Sequence, residues 1–123
     1  MRVFDHVGLP TDEKQPIEMY VRDTKVWVTN PMTHPYKVEY LRYEPDSPVT
    51  GPVRDLPHLA FRVNDLGQAL AEAGGEILLE PFYPLPAVEG FPTGGAMRVA
   101  FVLVDGAVFE FMENAGAGDW FRG

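Results

Sequence analysis

The chain contains no cysteine. That excludes disulfides, zinc ribbons, iron–sulfur clusters and thiol nucleophiles, and it fits a reducing cytoplasm, the compartment expected here. No stretch approaches the roughly 20 apolar residues that a membrane helix needs. The opening Met1-Arg2-Val3-Phe4-Asp5-His6 lacks the apolar core of a signal peptide. Positive charge is scarce: 10 Lys and Arg stand against 18 Asp and Glu, a formal net charge of −8. Such a field repels phosphate backbones and anionic lipid, so neither nucleic acid nor a membrane is an expected partner. The pair Gly94-Gly95 lacks the strand-to-helix setting of a phosphate loop and reads as plain flexibility.

Hydrophobic residues make up 46% of the 123, enough to build one packed domain. Val3 to Leu9 reads as a strand closed by Pro10. Pro16 disturbs any helix over residues 10–18, so a helix there is expected to be short or missing. Residues 19–29 read as one or two strands, 30–35 as a loop, and Tyr36 to Glu44 as a strong strand ended by Pro45-Asp46-Ser47-Pro48. A Pro-rich connector follows. His58 to Val63 is another strand. Asn64 or Asp65 caps a helix from Leu66 to Ala73, with Leu66, Ala69, Leu70 and Ala73 on one face and Gly74-Gly75 as its stop. Glu76 to Glu80 is a short strand and residues 81–96 a long Pro/Gly-rich loop. Met97 to Val104 and Ala107 to Glu113 form a hairpin across Asp105-Gly106. The Gly-rich tail carries Trp120 and Phe121.

The two halves repeat. Phe4-Asp5-His6-Val7-Gly8-Leu9 lines up with Leu56-Pro57-His58-Leu59-Ala60-Phe61, and Val38-Glu39-Tyr40-Leu41-Arg42-Tyr43 with Phe109-Glu110-Phe111-Met112-Glu113-Asn114. Each half has a His in its first strand and a Glu in its last. Strand alternation puts Leu59, Phe61 and Val63 on the face that packs against the helix, and His58, Ala60 and Arg62 on the other. His6, Glu39 and Glu110 also fall opposite the helix-facing side. The expected fold is α+β: two βαβββ-like modules, the first with its helix short or missing, closing into a curved mixed sheet trough. Module 1 spans about 1–45, the connector 46–56, module 2 about 57–114 and the tail 115–123.

The His6 strand Asp-His-Val-Gly-Leu, the His58 strand Pro-His-Leu-Ala-Phe-Arg-Val and the run Asp105-Gly106-Ala107-Val108-Phe109-Glu110-Phe111 together resemble the vicinal oxygen chelate superfamily. That group includes glyoxalase I, methylmalonyl-CoA epimerase, extradiol dioxygenases, and fosfomycin and bleomycin resistance proteins. The resemblance is strongest over residues 56–113 and weakest over 10–30. It implies metal ligands on the first and last strand of each module. The set His6, Glu39, His58 and Glu110 is similar to the four-ligand pattern of glyoxalase I. It also implies that a metal-bound Glu, Glu110 or Glu39, detaches to act as the base.

Two neutral imidazoles and two carboxylates balance one divalent ion, and the mixture of nitrogen and hard oxygen suits Zn, Ni, Co, Mn or Fe. The expected activity is that of a metal-dependent lyase or isomerase of glyoxalase type, acting on a small oxygenated carbonyl compound through an enediolate. Tyr43, Leu41 and Met112 would line the trough beside the ligands. Arg62 lies about 13 Å along the strand from His58, where it would meet a substrate anion at the rim or form an ordinary salt bridge. His34, in its Pro-flanked loop, reads as structural. The competing function is non-catalytic binding of a small molecule in the same trough, for resistance or sensing; a metal-free interaction domain is a third. A homodimer is expected, because edge strands of an open sheet seek partners. Trp120 and Phe121 would cover a neighbour or the trough mouth.

Overall fold

A computed structural model describes residues 2–84 and 97–114. Its elements are β1 (Arg2–Pro10), β2 (Met19–Val21), β3 (Val26–Val28), β4 (Val38–Tyr43), α1 (Pro52–Asp55), β5 (His58–Val63), α2 (Leu66–Ala73), β6 (Glu76–Phe82), β7 (Met97–Val104) and β8 (Ala107–Asn114). The eight strands form one curled mixed sheet in the order β2-β3-β4-β1-β5-β8-β7-β6. From the centre outward this is the same series twice: β1-β4-β3-β2 in one direction, β5-β8-β7-β6 in the other. The α+β fold of repeated βαβββ modules follows directly from that order.

Module 1 has no helix between β1 and β2 among the described residues, as Pro16 implies. The segment instead crosses the sheet as coil, tied down where Arg42 Nη2 and Nε donate to Glu18 at 2.7 and 3.1 Å. In module 2 the helix forms where its signals stand. Asp65 accepts from the Gln68 amide at 3.0 Å, and Gly74 closes the helix in the left-handed conformation. The helix packs on β7 and β8, burying Leu66 completely against Ala100, Val102 and Phe111. Leu59, which alternation assigns to the helix-facing side, stays 37% exposed and is not part of the cluster under α2, which packs chiefly on β7 and β8.

The opposite, concave face carries the larger core, with Val26, Val28, Leu41, Ala60, Val99, Val108 and Met112. The connector contributes to this core. It contains α1, and its Val49 and Val53 are buried in this same core. At Asp105-Gly106 both residues have positive φ, 51° and 82°, the conformation that a tight two-residue hairpin demands. Most of the long loop (85–96) and the tail with Trp120 and Phe121 lie outside the described residues.

Candidate metal centre

Strand register determines which side chains can meet. At the centre of the sheet β1 and β5 run antiparallel, with His6 opposite Ala60 and Gly8 opposite His58. On the flanks β4 pairs parallel to β1, placing Glu39 beside Gly8, and β8 pairs parallel to β5, placing Glu110 beside Ala60. Two rows result: Glu39–Gly8–His58 and His6–Ala60–Glu110. In each row a glutamate and a histidine two strands apart flank a residue with little or no side chain. Backbones two strands apart stand about 10 Å from each other, and the small residue between leaves room for both long side chains to lean together. Gly8 is essential to this, since a Cβ there would collide with the His58 ring.

The four side chains converge. His6 Nε2 lies 3.3 Å from Glu39 Oε1 and 3.4 Å from Glu110 Oε1. His58 Nε2 lies 3.2 Å from Glu110 Oε1 and 4.0 Å from Glu39 Oε1. All four residues are buried. Despite these short separations neither Nε2 atom makes a hydrogen bond: the carboxylate oxygens stand beside the nitrogens and not along their bonding direction. Buried polar atoms without partners are rare and call for an explanation. With bonds of about 2.0–2.2 Å, ligand atoms around a small divalent ion stand about 3.0–3.5 Å apart, and three of the four separations fall in that range. The donor set therefore fits a divalent cation. The group His6, Glu39 and His58 meets the spacing of a metal site, its ligand atoms all within 4.8 Å of one another.

Electrostatics agrees. Burial disfavours charge on His6, but the Glu39 carboxylate, the hydrogen bond to Asp5 and the proximity of Glu110 outweigh it and push the imidazole up to about 12. Burial likewise opposes charge on Glu110, yet the two facing imidazoles hold it down at about 2. The cluster thus favours a positive charge at its centre, which a proton or a metal ion supplies. Burial pushes the Tyr43 phenol up, reinforced by the charges of Glu39 and Glu110, so its hydroxyl remains a donor.

The four residues border a cavity of about 70 Å³, whose walls include Leu41, Tyr43 and Met112 together with Val99 and Phe101. Arg62 is not brought there. It points elsewhere, and its Nε donates to Asp5 Oδ1 at 2.6 Å. His34 is also remote from the cluster: its Nδ1 accepts from the Tyr36 amide at 3.0 Å. Sequence reasoning missed Asp5, which is 4% exposed and accepts from His6 Nδ1 at 2.7 Å. Simple alternation hides it, because a neighbour of an inward His should point outward.

The architecture has counterparts among solved structures. A hypothetical protein from Bacillus halodurans C-125 superposes with a TM-score of 0.64 at 18% identity, covering 96% of this chain and 98% of that one. A methylmalonyl-CoA epimerase from Mycobacterium tuberculosis superposes with a TM-score of 0.53 at 17% identity, covering 93% and 89%. The chain has the vicinal oxygen chelate fold. No family model matches the chain, and no curated protein sequence does. The first and last strand of each module, β1 with β4 and β5 with β8, are neighbours at the sheet centre, and these four strands carry His6, Glu39, His58 and Glu110.

Proposed function

We propose that the protein is a metal-dependent lyase or isomerase of glyoxalase type that moves a proton on a small oxygenated carbonyl compound. His6, Glu39, His58 and Glu110 hold one divalent ion. The observation that carries this reading is the convergence of four buried ligand-type side chains whose two imidazole Nε2 atoms have no hydrogen-bond partner. The fold likeness to an epimerase is consistent with it.

When bound, the ion would supply Lewis acidity, lowering the cost of negative charge on a carbonyl oxygen as the neighbouring carbon loses its proton. The chain's own groups do the rest. Glu110 or Glu39 takes the proton, both being carboxylates at the cavity wall. Tyr43, kept protonated, donates a hydrogen bond to a substrate oxygen. Leu41, Met112 and Val99 exclude water, which strengthens each of these interactions.

The test has two stages. Elemental analysis of protein purified without chelator should find about one divalent ion per chain, reduced to traces in His58→Ala. Glu39→Gln and Glu110→Gln are then followed by proton–deuterium exchange at carbon next to a carbonyl, over a panel of small hydroxy-carbonyl compounds. One variant should keep its metal and lose on the order of 10²-fold or more in rate. Full metal content with no exchange in the wild type would favour the binding-protein reading. Equal trace metal in wild type and His58→Ala, after metal is added back, would remove the metal site altogether.

A further inference from the structure

The strand β1 is not regular. Between the pairs Phe4–Phe61 and His6–Ala60, β1 advances two residues while β5 advances one. Asp5 is the extra residue of a β-bulge. In an unbroken strand Asp5 would face away from His6. The bulge lets both turn inward, and they are 4% and 1% exposed.

What Asp5 meets there is specific. Its Oδ2 accepts from His6 Nδ1 at 2.7 Å, and its Oδ1 accepts from Arg62 Nε at 2.6 Å. Arg62 is 45% exposed along its side chain, whereas Asp5 is almost wholly enclosed. A continuous chain of contacts therefore runs from the surface through Arg62 and Asp5 to the far side of the His6 ring, whose Nε2 faces Glu39 and Glu110. Among the described residues the second histidine has nothing equivalent. Pro57 precedes it, and its ring is held by packing: Gly8 lies against it, and Phe101 meets it edge-on with ring centroids 5.3 Å apart.

We propose that Asp5 and Arg62 are positioning residues for the metal centre: Asp5 fixes the His6 ring and makes it the more basic imidazole ligand, and Arg62 balances the Asp5 charge. The inference rests on the proposed metal site and deepens it. A carboxylate on the outer nitrogen holds the proton at Nδ1 and leaves the Nε2 lone pair for a metal. With Asp5 and Arg62 cancelling each other, the two glutamates alone balance the divalent ion. The two imidazoles become unequal: one is gripped by a charged hydrogen bond and the other by van der Waals contact.

Titration of the chelator-stripped full-length chain with Co(II), followed in the visible, tests this. Asp5→Ala should bind Co(II) about 10–100-fold more weakly than wild type. Asp5→Asn keeps an acceptor without its charge, so its loss should be smaller. Arg62→Gln should lie between wild type and Asp5→Ala, and Arg62→Lys should recover part of the difference. At saturating Co(II) the visible bands of Asp5→Ala should shift, because ligand-field strength follows the basicity of His6. A variant that merely loosened the fold would lower the melting temperature and leave the bands of the bound form in place. Wild-type affinity and bands in both Asp5→Ala and Arg62→Gln would overturn the inference while leaving the metal site standing. A wild type that takes up no Co(II) would overturn both.

Discussion

Gly8 is the residue on which the cluster is most sensitive to a single methyl group. A Cβ at that position runs into the His58 imidazole, and the ring has Phe101 on another side, so it cannot retreat without leaving the centre. Gly8→Ala should therefore fold, since β1 remains a strand, and lose at least about 10-fold in divalent metal affinity as one ligand is displaced. Calorimetric metal titration beside circular dichroism checks it; unchanged affinity in a folded variant would refute the row geometry. At the same scale, the His and Glu positions were legible in the sequence because each polar residue recurs where a strand prefers an apolar one. Asp5 was not, because a bulge is invisible to a period-two reading. Arg62 shares a face with His58, and only the structure reveals that Asp5 is there to bind it.

Glu18 offers a pH-dependent counterpart away from the site. Its carboxylate, held below the usual range chiefly by the Arg42 guanidinium, favours the folded state when ionised. That contribution is fully present above the carboxyl's unfolded value of about 4.5. It disappears as pH falls through the lower folded value. Glu18→Gln should cost about 1 kcal/mol at pH 7 and flatten the stability profile between pH 5 and the acid limit, roughly the window in which such carboxylates titrate. Urea melts at pH 7 and pH 3 measure it: the difference between variant and wild type should shrink at the lower pH.

Among elements, α2 shows local signals and packing in agreement. Asp65 and Gly74 set its ends, and Leu66 at its start is fully buried. The Leu66 amide also donates to Glu113 Oε2 at 2.8 Å, tying the helix to β8. Leu66→Ala should destabilise the protein by about 2–5 kcal/mol, read as a lower urea midpoint with little change in slope. Its bounds were readable because capping and periodicity are local. The part the connector plays in the core was not legible, for the opposite reason. Its prolines advertise a linker, but Val49 and Val53 enter the concave core, a long-range packing event with no local sign. The paired halves were legible as a repeat, whereas the order of strands depends on contacts between residues far apart in sequence.

For the whole molecule, we propose self-association into a homodimer. Phe4 and Leu59, which share the sheet face opposite the His and Glu cluster, are 46% and 37% exposed on the two central strands. Exposed apolar surface of this kind commonly marks an interface. Light scattering at micromolar concentration should give twice 13.7 kDa. A mass of 13.7 kDa would count against a dimer.

The two rows across the sheet have one more consequence. Each joins a glutamate from one half of the chain to a histidine from the other, over a small residue between them. Neither half owns a complete pair. A chain with this pattern is not free to vary its two halves independently: a bulkier residue at position 8 is felt at position 58, in the other half. Change is cheap only where a module answers to itself, as between β1 and β2, where the first module has coil and the second, between β5 and β6, has a helix. The division of labour between the halves is thus a constraint on which substitutions each can accept, tight along the central seam and loose at the margins.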